Sequence, residues 1–102
     1  MRQFDLIPNP SERSRAYAPY FVVLQSHHLE VLDSVVVEPV LRDAARQMTS
    51  LDIAIEVRGE TMVVALGEIF ALERNLVRSS TGSISEHEDA MRRGLERLLG
   101  GF

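Results

Sequence analysis

This 102-residue chain contains no cysteine, no tryptophan and no lysine. All eleven of its basic residues are arginine. Without cysteine, the chain has no disulfide scaffold, thiolate zinc site or cysteine nucleophile. No apolar run reaches the roughly eighteen residues of a membrane helix, and the first residues lack the apolar stretch of a signal peptide. We therefore expect a cytoplasmic protein.

Sequence motifs of enzymes are also missing. The chain has no glycine-rich phosphate loop, no His-Glu-x-x-His and no Gly-x-Ser-x-Gly. His27 and His28 are adjacent, and in an extended segment their side chains point to opposite faces, so they chelate one metal ion poorly. We expect no catalytic residues, no metal site and no cofactor.

The charge and the length of the chain limit its partners and its architecture. Fifteen acidic residues against eleven basic ones give a net charge of −4, which offers no basic footprint for phosphate backbones. We therefore expect a protein partner and no direct binding to nucleic acid. The length suits one domain over residues 1–102, with a deep pocket only if two copies build it together.

Runs of β-branched and alternating apolar residues predict a mainly β fold. The predicted strands are Gln3 to Ile7, Tyr20 to Ser26, Ser34 to Val40, Leu51 to Val57, Glu60 to Leu66 and Arg74 to Arg78. The fourth and fifth form a hairpin across a two-residue turn, Arg58-Gly59. Gly67 to Leu72 is predicted to be a compact connection, and residues 79–82 are predicted to be a loop.

The last eighteen residues, Ser85 to Phe102, predict one amphipathic helix. Its apolar face has the spacing of a 3.6-residue period and consists of Met91, Leu95, Leu98 and Phe102. Ser85 and Glu88 have the spacing of a capping box. Two glycines precede Phe102, so its ring suits the core, a dimer interface or another partner. The predicted architecture is a small antiparallel sheet or barrel of five to six strands closed by this helix.

The third predicted strand holds an unusual charge. Val35, Val36 and Val37 in succession indicate burial on both faces of the strand. Glu38 follows them directly, and the adjacent Pro39 is typical of an edge strand. We therefore expect the Glu38 carboxylate to face outward from an edge.

Taken in order, several segments resemble the CcdB family of plasmid and chromosomal toxins. They are Phe4-Asp5, Tyr20 to Ser26, Val35 to Val40, the central hairpin and the closing helix, which together cover nearly the whole chain. The resemblance implies a small β-barrel with a C-terminal helix, in a CcdB/MazF-like arrangement, that forms a symmetric homodimer. It implies binding to the DNA gyrase A subunit and trapping of the cleaved gyrase–DNA complex, without enzymatic activity. It also implies neutralisation by a partly disordered, CcdA-like antitoxin.

The resemblance assigns roles to particular positions. The gyrase contact falls on Leu99, Gly100, Gly101 and Phe102, where Gly100 replaces a tryptophan of the best-known members. The expected antitoxin-binding residues are His27, His28, Arg92, Arg93 and Glu96. The expected dimer interface includes Val36, Leu98 and Phe102, because the valine strand and the apolar helix end exceed what one small domain usually covers.

Two other functions remain open for this chain. An endoribonuclease toxin of the MazF type resembles CcdB in fold while cutting RNA, and it requires a basic dimer groove that this acidic chain does not predict. A degenerate homologue that dimerises and binds an antitoxin without poisoning gyrase is the second alternative.

Overall fold

The computed structural model describes residues 2–26, 32–42 and 52–100, and shows a curled antiparallel sheet followed by one helix. Its strands are β1 (Asp5–Pro8), β2 (Tyr20–Val23), β3 (Ser34–Leu41), β4 (Asp52–Val57), β5 (Glu60–Ala65), β6 (Phe70–Glu73) and β7 (Gly82–Ser83). The helix α1 spans Glu88–Gly100, and 3-10 turns cover Arg74–Leu76 and Ser85–His87. The predicted fold class is confirmed, and the two-residue β7 adds to the six predicted strands. The residues His27, His28, Gly101 and Phe102 lie outside the described part of the chain.

The sheet has the strand order β4-β5-β3-β2-β1-β7, and β6 also pairs with β3. One face carries the main core, formed by Phe4, Leu6, Val22, Leu24, Val40, Ile55, Val57, Met62, Val64, Leu66, Ile84 and Met91. The opposite face carries a smaller cluster of Ile7, Phe21, Val23, Val35, Val37 and Leu72. Because Met91 belongs to the main core, α1 closes that face of the curled sheet.

Strand β3 changes its partner halfway along its length. Ser34 to Val37 pair with β6, whereas Val40 and Leu41 pair with β5. Pro39 lies between the two stretches, where neither β6 nor β5 pairs with it. A residue without an N–H is tolerated at such a gap, although β3 lies in the middle of the sheet.

The expectation that Glu38 faces outward is wrong. Its side chain is fully buried, and alternation along β3 places it on the same face as Val36 and Val40, toward the main core. Within the described residues, neither carboxyl oxygen has a hydrogen-bond partner. Burial without a partner raises the pKa of Glu38 from 4.5 to about 8. The carboxyl is therefore mostly protonated at neutral pH.

The predicted hairpin between β4 and β5 is confirmed. The register runs from Asp52 opposite Ala65 to Val57 opposite Glu60. Arg58 and Gly59 have φ values of 53° and 81°, the left-handed conformations that a type I′ turn requires.

The predicted strand from Arg74 to Arg78 is wrong. The strand lies four residues earlier, at β6. The rings of Phe70 and Phe21 pack edge to face, with 5.0 Å between their centres. Arg74 then turns the chain, because its backbone N–H donates to Asp33 O at 2.8 Å and its Nε donates to Leu32 O at 2.6 Å. Sequence periodicity does not detect these long-range bonds.

Two smaller differences concern the edges of the sheet. The loop predicted over residues 79–82 ends in β7, which pairs with Asp5 and Leu6 of β1. Strand β1 begins two residues later than predicted, because Phe4 is buried with a φ of 68°, which interrupts the extended chain.

The predicted C-terminal helix is confirmed, but its start differs. Residues 85–87 form a 3-10 turn without a side-chain cap, and the N–H of Ser85 donates instead to Ser83 Oγ at 3.1 Å. The α-helix begins at Glu88, whose carboxylate lies 3.6 Å from Arg92 Nη2 at the i, i+4 spacing. In the described ranges, no helix combines the length and hydropathy needed to cross a membrane.

At Gly94, α1 packs closely against Leu66, the residue that follows β5. A Cβ atom at this position would overlap Cδ1 of Leu66, a fully buried residue of the main core. Glycine therefore allows α1 to approach Leu66, and a larger residue here forces the Leu66 side chain or the helix to shift.

We expect Gly94→Val to lower the free energy of unfolding by about 2 kcal/mol or more, because it overpacks the contact with Leu66. The matched control is Gly67→Val, since a Cβ at Gly67 meets no atom within 4 Å. Urea unfolding of both variants measures the difference. Equal losses at the two positions would contradict the close packing of α1.

Candidate functional site

The exposed side of α1 ends in an apolar tip. Leu99 is 75% exposed, the largest fraction among the exposed large apolar residues in the described part of the chain. A cavity of about 640 Å³ lies beside it and is lined by Arg92, Leu95, Glu96, Leu99 and Gly100. An apolar side chain of this size in water provides contact area for a partner. Leu99 and Gly100 thus lie together at an accessible end of the helix.

Arg92 connects α1 to the start of the chain. Its Nη2 donates to Gln3 Oε1 at 3.1 Å and lies 3.6 Å from Glu88 Oε1. Its Cζ lies 5.5 Å from the centre of the Phe4 ring, within the range of a cation–π contact. Arg92 therefore has a structural role that its predicted part in antitoxin binding does not reveal.

Arg93 and Glu96 line a second cavity on the side of α1 that faces β4. The cavity measures about 450 Å³, and its lining residues are Ile53, Leu66, Ala90, Arg93, Gly94, Glu96 and Arg97. Glu96 borders both cavities. The predicted antitoxin residues Arg92, Arg93 and Glu96 lie within about one turn of α1.

A third cavity lies beside β4 near the start of α1. It measures about 330 Å³ and is lined by Ala54, Ile55, Glu56, Thr61, Glu86 and His87. The second and third cavities together are called here the β4 groove, with Arg93 and Arg97 at one end and Glu56 and Glu86 at the other. Sequence reasoning missed this groove, because it forms only where α1 lies beside the hairpin.

The two described residues of the expected dimer interface are both partly exposed. Val36 packs against the main core and keeps part of its surface accessible, as does Leu95 on α1. Leu98 is also half-buried. These residues retain apolar surface that a second copy of the chain can cover.

The loop between β1 and β2 is organised by a buried asparagine. Asn9 is only 1% exposed, and its Nδ2 donates to Ser14 Oγ and to Ala18 O, each at 2.8 Å. Its Oδ1 accepts the N–H of Ser11 at 2.9 Å. Sequence reasoning does not reveal this arrangement, since one asparagine carries no periodic signal.

Arg15 and Arg42, near this loop, interact with protein groups. Arg15 Nε donates to Asn9 O at 2.9 Å, and Arg42 Nε lies 3.1 Å from Glu60 Oε2. Next to them, a small apolar cluster consists of Ala18, Leu41 and Ala65. These two guanidinium groups thus have protein partners, and the three residues of the cluster are buried.

Solved structures similar to this one are toxins of low sequence identity. A structure described as a toxin from Mtb has a TM-score of 0.71 and 13% identity, covering 92% of this chain and 99% of its own. The Mycobacterium tuberculosis toxin MazF-mt6 has a TM-score of 0.73 and 12% identity, covering 97% of each chain. A mycobacterial endoribonuclease in complex with its cognate antitoxin has a TM-score of 0.73 and 10% identity, covering 98% of this chain and 95% of its own. At these identities the likeness establishes the fold alone.

The search of curated proteins found no match. The family model described as CcdB protein matches residues 3–101. The match includes both the sheet and the exposed end of α1. The chain therefore belongs to the CcdB family of toxins.

Proposed function

We propose that this protein is the toxin of a type II toxin–antitoxin module and poisons DNA gyrase in the cytoplasm. The observation that carries the proposal is the exposed Leu99 beside Gly100 at the end of α1, in a chain of the CcdB family. An apolar tip of this kind inserts into a partner's pocket, and truncating such anchors commonly costs about 2 kcal/mol or more of binding energy. The tip formed by Leu99, Gly100, Gly101 and Phe102 binds the gyrase A subunit and holds the cleaved complex.

A cognate, CcdA-like antitoxin neutralises the toxin at the polar side of α1. Arg92 and Arg93 present two positive charges there and Glu96 a negative one, and His27 and His28 complete the predicted surface. The mycobacterial endoribonuclease described above is bound to its cognate antitoxin, which supports the same kind of partner for this chain.

The decisive experiment mixes the purified protein with gyrase, plasmid DNA and ATP, followed by detergent and protease. We expect linear DNA that increases with the toxin concentration. In the control reaction without gyrase, no linear DNA should appear. If the complete reaction also gave no linear DNA at excess toxin, the proposal would be falsified.

An endoribonuclease of the MazF type is the second candidate. The observation in its favour is the likeness to MazF-mt6, which covers nearly all of both chains. This candidate predicts cleavage of a single-stranded RNA and no linear DNA. A degenerate homologue predicts neither product, together with intact binding of an antitoxin.

We expect the protein to be a homodimer whose interface includes Val36, Leu98 and Phe102. Val36 and Leu98 leave apolar surface accessible in the single chain, and burying it against a second copy stabilises the pair. Sedimentation equilibrium at micromolar concentration should give twice the chain mass of 11.5 kDa. A monomer under these conditions would contradict the homodimer and the symmetric arrangement of two target-binding tips.

A further inference from the structure

The outer edge of β4 provides hydrogen-bonding groups that a partner strand can use. In the described part of the chain, β4 pairs with β5 and with no other strand. Val57 and Glu60 flank the two-residue turn and form a hydrogen-bonded pair, and such pairs alternate along an antiparallel ladder. The N–H and C=O groups of Ala54 and Glu56 therefore point away from β5, at the outer edge of β4.

We propose that the β4 groove binds an extended segment of the antitoxin, which adds to the sheet as a strand antiparallel to β4. This inference rests on the proposed toxin–antitoxin function and specifies how that partner binds. Strand addition supplies backbone hydrogen bonds along the edge, while side chains of alternate residues enter neighbouring pockets. The pocket at the Ile53 end is suited to an apolar side chain, because Leu66 and the bare backbone of Gly94 form part of its wall.

The charges at the two ends determine which segment fits. Arg93 lies at the Ile53 end, is exposed, and has no recorded ion pair to another described residue. Arg97 at the same end already has an interaction, so the inference depends on Arg93. Glu96 also borders this end and partly offsets the two cations. Glu56 and Glu86 lie at the other end, where they attract a basic residue.

The direction of the bound segment follows from these charges. Strand β4 runs from the Arg93 end toward the Glu86 end, and an antiparallel partner therefore runs the opposite way. The partner segment carries basic residues at its amino end, alternating apolar residues in its middle, and acidic residues at its carboxyl end. Antiparallel pairing is also slightly more stable per residue than parallel pairing.

The test uses a fluorescein-labelled peptide with two lysines, then alternating valine and threonine, then two aspartates. Fluorescence anisotropy with the full-length protein should show binding of this peptide at least about fivefold tighter than binding of the same residues in reversed order. Equal binding of the two peptides, or no binding of either, would overturn the inference.

Two variants locate the peptide. Arg93→Glu should weaken binding about fivefold or more, whereas Arg13→Glu, an exposed arginine in the β1–β2 loop, should not. Ala54→Pro removes one outward N–H and should weaken binding about fivefold, whereas Ala54→Val keeps the N–H and should not. Unchanged binding by Arg93→Glu or by a folded Ala54→Pro would contradict the proposed site.

Amide hydrogen exchange of the unmodified protein avoids any folding defect of Ala54→Pro. Saturating peptide should slow exchange at Ala54 and Glu56 about tenfold or more, and no slowing would overturn the strand addition. The gyrase assay on the unmodified protein separates this inference from the proposed function. If linear DNA forms but the peptide does not slow exchange at Ala54 and Glu56, only the inference is refuted. If no linear DNA forms, the gyrase proposal is refuted.

Discussion

Replacing Leu99 with aspartate is expected to abolish gyrase poisoning while leaving the protein folded. Leu99 is 75% exposed, so a charge at this position removes apolar contact surface without disturbing the core. A lost apolar anchor of about 2 kcal/mol corresponds to roughly thirtyfold more toxin for the same amount of linear DNA. Phe102→Asp should act in the same way, because the proposed tip extends to the last residue.

The matched control for Leu99→Asp is Leu76→Asp. Leu76 is 45% exposed and lies in the 3-10 turn after β6, away from α1. Leu76→Asp should leave the amount of linear DNA and the growth arrest unchanged. Gly100→Trp, which restores the residue of the best-known family members, should preserve or increase toxicity. Full activity of Leu99→Asp and Phe102→Asp would exclude the helix end as the target contact.

Removing the Glu38 carboxyl should stabilise the protein, and more so at high pH. The unfolded chain releases this proton near pH 4.5, whereas the folded chain retains it to about pH 8. Between these values the folded state binds more protons, so stability falls as the pH rises. The full penalty above pH 8 is on the order of 5 kcal/mol.

We expect Glu38→Met to raise the free energy of unfolding by several kcal/mol at pH 8.5. Methionine fills a similar volume and needs no hydrogen bond. At pH 4.5 the gain should fall to about 1–3 kcal/mol, the cost of burying an uncharged polar group without a partner. Urea titrations at both pH values measure the gain relative to the unmodified protein.

The exposed Glu56 of β4 provides the control for this pH dependence. Glu56→Met should change stability little, and by the same amount at both pH values. If Glu38→Met also gave a gain independent of pH, the carboxyl would titrate alike in the folded and unfolded states. That result would contradict a buried, unpartnered Glu38.

Local patterns were sufficient for several elements. The β4–β5 hairpin follows from alternating apolar residues around Arg58-Gly59, because the left-handed turn is specified by the residues that make it. The helix α1 follows in the same way from the spacing of Met91, Leu95 and Leu98.

Tertiary structure decided the features that depend on which segments meet. The sequence near Glu38 suggests an edge strand, but β2, β5 and β6 surround β3 and bury the carboxyl. The position of β6 depends on bonds from Arg74 to Leu32 and Asp33, more than forty residues away along the chain. The close contact of α1 with Leu66 favours glycine at position 94, and the β4 groove exists only because helix and hairpin lie side by side. Periodicity reports one segment's own preference for a buried face, whereas these features arise from contacts between segments distant in sequence.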